Sequence, residues 1–473
     1  MPAEQHSITS GASRGRYINT GNGPVLQPID INHPDYAALI DPDSAFWSLI
    51  LKQEMGTVFD QKSSFLKQYL RKRNQFLEEM KALRFNALPQ AVYFNPTERC
   101  NLNCSYCYLP EEQRSSGSHM SKRQLLKALD HLKTYFSRTL PKGLNPLIVF
   151  HGAEPMLVRD AMFEGIDAFK DYFRFGIQTN GTLLDDEAIE FIKTRNVGLG
   201  LSLDGHIGTV ADRTRKTWSG DSVFKKVVDV LEKMAGYDNY NVICTATAEN
   251  MSALPRVVDF LHALEVPVAM LNPVRCTRQG ARDIKPLDHE LSRYYLRALD
   301  RTQELFQKTN RKLVIANFAN ILIAIIAPAA RVLMCDISPC GGGRCFFAVA
   351  ANGDMFPCSE FLGVPEFKGG NLFRNKIDDV LTSDAFCKVT TRKVEDIEPC
   401  SHCAIRHFCG SPCPAEAYEM NGGMDKIGAF CELYEEQVRY AMRLIADEKT
   451  DAYLWDGWDQ NTKKSLDLTT LSL

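Results

Sequence analysis

The chain has 473 residues, of which 45% are hydrophobic and 24% charged, the usual balance for a globular protein of two or three domains. A formal net charge of -3 supplies no global basic field, so neither nucleic acid nor an acidic membrane surface is expected as a partner. No apolar run is long enough to span a bilayer, and the first residues lack the apolar core of a secretory signal. We therefore expect a cytoplasmic protein.

The 15 cysteines need a separate explanation. Thiols stay reduced in the cytosol, so metal ligation is favoured over a disulfide framework. Three cysteines fall within residues 100–107, and within residues 335–431 there are nine more besides Cys387. The cysteines outside these clusters are interpreted as small buried apolar residues, and they are Cys244, Cys276 and Cys387.

Residues 1–90 contain no cysteine and are predicted to form a partly helical N-terminal extension. Phe65, Tyr69, Phe76 and Met80 recur at roughly helical spacing, which predicts an amphipathic helix over residues 60–85.

From residue 91 to 310, short apolar or β-branched runs alternate with helical periods. Strands are predicted at 91–95, 147–151, 174–179, 197–203, 242–247 and 268–274, and helices at 122–136, 185–194, 223–234 and 254–264. This alternation indicates an α/β fold with a parallel sheet and right-handed crossovers. Six units suit a partial, TIM-like (β/α)6 barrel, in which the carboxyl ends of the strands carry the chemistry.

The remainder divides into three segments. Residues 311–334 are predicted to form a helical bridge, and residues 335–435 form a Gly- and Cys-rich domain with little apolar periodicity. Metal clusters would supply the organisation that this domain lacks. Residues 436–473 hold a C-terminal helix, predicted over 432–447, and a polar tail.

The first cysteine cluster follows the first predicted strand directly, as Cys100-x3-Cys104-x2-Cys107. Three thiolates within eight residues can hold a [4Fe–4S] cube and leave one iron without a protein ligand, where a substrate or cofactor can coordinate. Zinc is the alternative, although no histidine lies near enough in the sequence to complete a tetrahedral set.

The segment Asn95 to Cys107, with the aromatic Tyr106 before its last cysteine, resembles the signature of the radical S-adenosylmethionine (SAM) superfamily. The resemblance implies that SAM chelates the open iron and is cleaved to methionine and a 5′-deoxyadenosyl radical, which abstracts hydrogen. His151-Gly-Ala-Glu-Pro155 resembles the family's GGEP motif, from which His151 and Ala153 depart. The SAM-binding residues that the resemblance implies are Tyr106, Gly152, Ala153, Glu154, Pro155, Gln178, Asn180, Ser202, Asp204, Arg215, Leu271 and Asn272.

The second cysteine region reads Cys340-x4-Cys345-x12-Cys358, then Cys400-x2-Cys403-x5-Cys409-x3-Cys413-x17-Cys431, and these eight cysteines are enough for two fully ligated [4Fe–4S] clusters. Its spacing resembles the SPASM extension of peptide-maturing radical SAM enzymes, which implies three clusters in all. Auxiliary cluster I would take Cys340, Cys345, Cys358 and Cys413, and auxiliary cluster II would take Cys400, Cys403, Cys409 and Cys431. Cys335 is surplus and either replaces Cys340 or stays free. Zinc ribbons are the alternative for this region.

The family modifies ribosomally made peptides and proteins by formylglycine formation or by thioether or carbon–carbon cross-linking. In the sulfatase-maturating members an Asp that follows the third cysteine of auxiliary cluster I acts as base. Here Ser359 follows Cys358. This departure weighs against formylglycine formation and leaves Glu360 as the candidate catalytic base.

In its N-terminal segment, motif variant and length, the chain is most similar to the enzymes that mature quinohaemoprotein amine dehydrogenase. That resemblance implies sulfur-to-methylene thioether bonds between Cys and Asp or Glu in a Cys-containing peptide or small protein. It also implies a low-potential electron donor such as flavodoxin or ferredoxin. The alternatives are another SPASM-type maturation, small-molecule radical SAM chemistry, or a zinc-ribbon binding module.

Overall fold

The N-terminal extension contains an antiparallel sheet in addition to the predicted helix. The computed structural model describes residues 18–19, 25–58, 63–409 and 413–459. The sheet has four strands in sequential order, β1 (Ile18–Asn19), β2 (Val25–Ile29), β3 (Tyr36–Ile40) and β4 (Trp47–Leu51). The sequence analysis predicted only helix here, so the extension is more β-rich than expected.

Two helices follow this sheet, α1 (Met55–Val58) and α2 (Ser64–Phe85). Ser63 begins α2 by accepting a hydrogen bond from the Leu66 backbone N–H at 3.4 Å. The predicted apolar face of α2 is buried, and Phe65, Tyr69 and Phe76 pack against the sheet together with Phe46. Residues 59–62, where the predicted helix began, lie outside the described residues.

The six predicted barrel strands are present and all parallel, in sequential order across one sheet. They are β5 (Ala91–Phe94), β6 (Leu147–Phe150), β7 (Arg174–Thr179), β8 (Gly198–Ser202), β9 (Tyr240–Ala246) and β10 (Val268–Pro273). The helices of this region are α3 (Glu111–Ser116), α4 (Lys122–Thr139), α5 (Arg159–Phe169), α6 (Asp186–Thr194), α7 (Gly208–Ala211), α8 (Phe224–Lys233), α9 (Leu254–Ala263), α10 (Gln279–Asp283) and α11 (Asp288–Thr309). The partial barrel is confirmed.

The sheet continues beyond the barrel at both edges and reaches ten strands. β11 (Val314–Ile315) pairs in parallel with β10, and β12 (Phe346–Val349) pairs in parallel with β5. β13 (Asp354–Phe356) and β14 (Gly370–Asn371) then add antiparallel strands. The cysteine-rich region is therefore joined to the barrel by backbone pairing and is not organised by its cysteines alone.

Helices complete the C-terminal part. The bridge between the barrel and the cysteine-rich region is helical only in α12 (Ala316–Ile326), after which the chain turns through Pro328–Ala330. Pro328 limits the helix because it lacks an N–H and clashes with the preceding turn. The later helices are α13 (Ile377–Leu381), α14 (Asp384–Thr390), α15 (Arg406–Cys409), α16 (Pro414–Asn421) and α17 (Cys431–Ala446).

The core lies between the sheet and the barrel helices. Phe94, Phe150 and Phe175 form an aromatic row across β5, β6 and β7, with ring centroids 5.7 and 5.8 Å apart. Burying each ring stabilises the fold by roughly 1.5–3 kcal/mol. No helix within the described residues combines the length and apolar character needed to cross a bilayer.

The N-terminal extension is bonded to the cysteine-rich region by two arginines. Arg84 of α2 donates to both carboxylate oxygens of Glu395, at 2.6 and 2.8 Å, and to the Ser338 carbonyl. Arg406 of α15 donates to the Pro42 carbonyl at 2.9 Å and to the Asp43 carboxylate at 2.5 Å. These contacts place the extension against the segment that carries the later cysteines.

Candidate active site

The first cysteine cluster lies on the loop at the carboxyl end of β5. A second loop, after β8, holds it in place, because the Asn103 N–H donates to the Lys216 carbonyl at 2.8 Å and the Ser105 N–H to the Thr214 carbonyl at 3.0 Å. The side chains of Cys100, Cys104 and Cys107 are all half-buried and influence one another electrostatically. The structure therefore brings the three thiols together at one end of the barrel.

These thiols are suited to bind the positively charged iron atoms of a cluster. Burial raises the pKa of Cys100 to about 12 and that of Cys104 to about 11, so the thiolates need a strong electropositive partner. The Leu102 N–H points at the Cys100 Sγ at 3.4 Å, the kind of contact that supports cluster sulfur ligands. The all-sulfur donor set fits an iron–sulfur cube bound by three cysteines.

Gly152 allows a close approach of two loops at this site. Its φ is +101°, and a Cβ there would lie 2.2 Å from the Asn95 Oδ1. Asn95 is held in place by donating its Nδ2 to the carbonyls of Tyr93 and Val349, each at 3.2 Å. Only glycine fits between these groups, which explains one glycine of the motif in physical terms.

Glu154 is fully buried, and both its carboxylate oxygens accept hydrogen bonds from the protein. The donors are the Met156 N–H at 3.0 Å, the Thr179 hydroxyl at 2.7 Å and the Asn180 N–H at 2.9 Å. Burial raises the pKa of Glu154 although these bonds lower it. Glu154 thus ties the ends of β6 and β7 together, and the contact with SAM predicted for it stays a prediction.

Tyr106, Asp204 and Arg215 form a connected group beside the Cys104 thiol. The Tyr106 hydroxyl donates to the Asp204 carboxylate at 2.5 Å and accepts from the Arg215 Nη2 at 2.5 Å. The Asp204 carboxylate also accepts from the Thr245 N–H at 2.9 Å. Arg215 lowers the pKa of Cys104 against the larger effect of burial, whereas Asp204 raises it, so the positive charge at the cluster loop comes from Arg215.

The remaining predicted SAM residues share the same edge of the sheet. Gln178, Ser202 and Asn272 are half-buried at the ends of β7, β8 and β10, and Leu271 is buried. The sequence analysis missed Asn317, which exchanges two hydrogen bonds with the Leu271 backbone at 2.9 and 3.1 Å. Ala153 and Pro155 flank Glu154 in the loop after β6. Direct contact of these residues with SAM stays a prediction.

Auxiliary group I is the name used here for Cys340, Cys345, Cys358 and Cys413. Cys358 and Cys413 each interact electrostatically with Cys340, and Cys345 lies beside Cys340. The Gly342 N–H points at the Cys340 Sγ at 3.4 Å. The structure also brings the surplus Cys335 to this group, where it influences Cys340, Cys358 and Cys413.

Auxiliary group II is the name used here for Cys400, Cys403, Cys409 and Cys431. Cys403 interacts with Cys400, and Cys431 interacts with Cys403. Cys409 ends α15, and Cys431 begins α17. Among the residues that the structure describes, no three His, Cys, Asp or Glu side chains are placed to hold a single metal ion. In a cube each iron takes its own thiolate, so the ligands surround a cluster rather than one ion.

A wall of largely buried polar side chains, Tyr108, His151 and Glu360, lies between the first cysteine cluster and auxiliary group I. Tyr108 interacts electrostatically with Cys100 and Cys107 on one side and with Cys358 and Glu360 on the other. The Tyr108 hydroxyl, the His151 Nδ1 and the Glu360 Oε2 are buried and have no hydrogen-bond partner among the described residues. A buried polar atom without a partner is costly, so these groups are suited to receive a ligand.

Burial shifts the pKa of two side chains of this wall. It lowers the pKa of His151 to about 4, and it raises the pKa of Glu360 to about 7 against the opposing effect of Arg275. Glu360, the candidate base, therefore belongs to this wall. The sequence analysis did not assign roles to Tyr108 or His151, although both adjoin a recognised motif, Tyr108 directly after Cys107.

Comparison with known protein families agrees with this geometry. Residues 94–261 match the model of the radical SAM superfamily, and residues 340–404 match that of the SPASM iron–sulfur cluster-binding domain. The matched ranges contain the first cysteine cluster with its SAM motifs and the larger part of the two auxiliary groups.

Individual proteins are similar over most of the chain. An uncharacterized protein of Archaeoglobus fulgidus is 37% identical over 422 residues, which are 89% of this chain and 95% of that protein. A cysteine-type anaerobic sulfatase-maturating enzyme of Clostridium novyi is 23% identical, over 72% of this chain and 91% of that enzyme. The solved structure of native anSMEcpe with bound AdoMet and the Cp18Cys peptide has a TM-score of 0.66 at 19% identity, covering 76% and 99% of the two chains. The similarity to this solved structure shows the fold of the chain.

Proposed function

Because the chain belongs to the radical SAM superfamily and carries a SPASM domain, we propose that it is an enzyme that modifies a peptide or protein substrate, forming thioether cross-links between Cys and Asp or Glu. The observation that carries the proposal is the wall of unpartnered buried polar groups between the two cysteine sites. A substrate bound at this wall would lie between both sites.

The chain's residues fit the cofactors that its family implies. Cys100, Cys104 and Cys107 would hold the SAM-binding cube, and the two auxiliary groups would each hold a further [4Fe–4S] cluster. When bound, SAM and its cluster would supply a 5′-deoxyadenosyl radical that removes one hydrogen atom from the substrate, and the auxiliary clusters would accept the electron released when the carbon–sulfur bond forms. A low-potential flavodoxin or ferredoxin is the proposed electron donor.

The protein's own residues orient the substrate and manage its proton. The buried network of Glu154, Thr179 and Asn180 keeps the loops after β6 and β7 rigid. Tyr106 and Asp204 hold the Arg215 guanidinium beside the cluster loop. The substrate thiol must lose one proton as the carbon–sulfur bond forms, and Glu360 is the proposed acceptor because its carboxylate belongs to the wall of unpartnered polar groups.

The similar Clostridium novyi enzyme matures sulfatases. Ser359 and Glu360 after Cys358 favour cross-linking over formylglycine formation. A formylglycine or carbon–carbon product is distinguished by its mass and fragmentation.

The test is anaerobic reconstitution of the protein with iron, sulfide, SAM, reductant and a Cys-containing peptide from a neighbouring gene product, followed by mass spectrometry. The proposal predicts 5′-deoxyadenosine and a loss of two hydrogens per cross-link, with fragments joined between Cys and Asp or Glu. Deoxyadenosine with no change in peptide mass, or a cross-link that omits the cysteine sulfur, would contradict thioether formation.

A further inference from the structure

Arg275 lies two residues beyond the end of β10, at the carboxyl edge of the sheet. Its guanidinium is buried, although the residue keeps some accessible surface. Among the residues that the structure describes, it has no hydrogen bond and no ion pair. A guanidinium has five N–H donors, so leaving them all unpaired inside a protein is costly unless a ligand pairs with them.

The acidic groups near Arg275 are engaged elsewhere or remain out of contact. Glu416 accepts hydrogen bonds from the backbone N–H groups of Cys276 at 2.9 Å and Ala429 at 3.2 Å. Asp336 accepts from the Asn320 Nδ2 at 2.8 Å. Burial alone would lower the pKa of Arg275, but Tyr434, Cys413, Glu416 and Glu360 raise it well above its ordinary value. Arg275 is therefore a permanent cation.

Glu360, on the wall with Tyr108 and His151, is also without a hydrogen-bond partner at its Oε2 within the described part of the chain. It interacts electrostatically with Arg275, but the two charged groups do not approach within ion-pair distance. They do not satisfy each other, and this leaves a gap between a cation and a carboxylate. A ligand would fill this gap if one of its groups accepted hydrogen bonds from Arg275 and an adjoining group faced Glu360.

We infer that Arg275 binds the side-chain carboxylate of an acidic residue of the substrate and so selects an Asp or Glu beside the reacting carbon. This inference rests on the proposed function and names the residue that selects the acidic side chain of its substrate. A guanidinium pairs with a carboxylate through two parallel N–H···O bonds, which gives both affinity and orientation. An amide in the same place offers one oxygen and no charge, so Gln or Asn in the substrate binds more weakly.

The other role for such a cation is to balance the charge of auxiliary group I. Two other arginines are already placed for that role. Arg344 interacts with Cys340 and Cys345 and donates to the Cys340 and Pro339 carbonyls, and Arg392 interacts with Cys340 and donates to the Met424 carbonyl. Arg275 also lies near this group, since its charge lowers the pKa of Cys413, Cys340 and Cys335. Arg344 and Arg392 are fixed by backbone carbonyls, whereas the donors of Arg275 have no partner among the described residues, and ligand binding accounts for those open donors.

The inference can be tested by binding without turnover. The probe is a pool of synthetic peptides with one fixed Cys and an equimolar Glu/Gln mixture at each flanking position. The anaerobic, cluster-loaded protein is incubated with SAM and no reductant, and the retained peptides are sequenced by mass spectrometry. We expect Glu to be enriched over Gln by about tenfold at one spacing from the Cys, the advantage of a charged hydrogen-bond pair over a neutral one.

Variants assign this enrichment to one residue. Arg275→Gln should reduce the Glu:Gln ratio to about one, and Arg275→Lys, which keeps the charge and loses the fork, should leave an intermediate ratio. The matched control is Arg392→Gln, which removes a cation near the same cysteines and should keep the wild-type ratio. Iron content is measured for every variant.

Three results would overturn the inference. They are a ratio of one in the wild-type protein, a preference for Glu that survives in Arg275→Gln, and a loss of iron from Arg275→Gln in place of the loss of preference. The last result would assign Arg275 to an auxiliary cluster. Failure of the proposed function is seen separately, as absence of 5′-deoxyadenosine when reductant is added to the wild-type protein.

Discussion

Replacing Gly152 with alanine tests how the SAM-motif loop is built. The alanine would have to adopt a φ of +101°, which L-amino acids rarely do, and its Cβ would lie 2.2 Å from the Asn95 Oδ1. The backbone strain costs about 1–3 kcal/mol. Moving Asn95 aside would also break its two hydrogen bonds to the Tyr93 and Val349 carbonyls, at about 1 kcal/mol each. The substitution should therefore destabilise the protein by about 3–5 kcal/mol.

Gly143 supplies the matched control. Its φ is +88°, but no atom lies within 4 Å of the position of its Cβ, so Gly143→Ala adds backbone strain without a clash. The difference between the two variants, about 2 kcal/mol, isolates the contact with Asn95. At about 2–4 °C per kcal/mol for a domain of 150–250 residues, Gly152→Ala should unfold roughly 4–8 °C below Gly143→Ala.

The assay is thermal unfolding of the anaerobic, cluster-loaded variants, with SAM affinity measured by equilibrium dialysis. Gly152→Ala should also bind SAM more weakly, because its loop carries the predicted SAM contacts, whereas Gly143→Ala should bind it normally. Equal unfolding temperatures for the two variants would refute the role of the close approach between Gly152 and Asn95.

Three further substitutions give distinct readouts. Tyr106→Phe removes a hydroxyl bonded to Asp204 and should weaken SAM binding about tenfold in the same dialysis assay, and unchanged affinity would contradict the role of this network. Arg84→Met removes two carboxylate hydrogen bonds and one carbonyl hydrogen bond and should cost about 2 kcal/mol, seen as a lower unfolding temperature. Cys335→Ala should keep about twelve irons per chain, whereas Cys340→Ala should lose about four, and an equal loss in both would make Cys335 a ligand.

The barrel was predictable because parallel strands buried on both faces read as short continuous apolar runs, as in the stretch from Leu147 to Phe150. The N-terminal sheet was missed because its antiparallel strands are not separated by helical periods as the barrel strands are, and because β2 contains Pro28, which argues against a strand. The pairing of Phe346–Val349 with Ala91–Phe94 joins segments about 250 residues apart, which no local pattern reveals.

The candidate site was predictable only in part for a similar reason. Cysteine spacing predicts the ligands best where thiolates lie close together along one loop, as at Cys100, Cys104 and Cys107, and less well for Cys413, which is distant in sequence from Cys340. Spacing does not show that Glu154 and Asp204 are bonded within the protein, since their partners come from neighbouring strands. It also does not show that Arg275 lacks a partner, because that depends on packing around the guanidinium.

The most direct test of the account is the response of the first cluster to SAM. Electron paramagnetic resonance spectra of the reduced, cluster-loaded protein are recorded with and without SAM, for the wild type and for Cys104→Ala. The account predicts that SAM changes the wild-type spectrum, and that Cys104→Ala loses both this change and SAM cleavage while retaining the auxiliary-cluster signals. A wild-type spectrum that is indifferent to SAM would contradict the assignment of Cys100, Cys104 and Cys107 as ligands of an open cube.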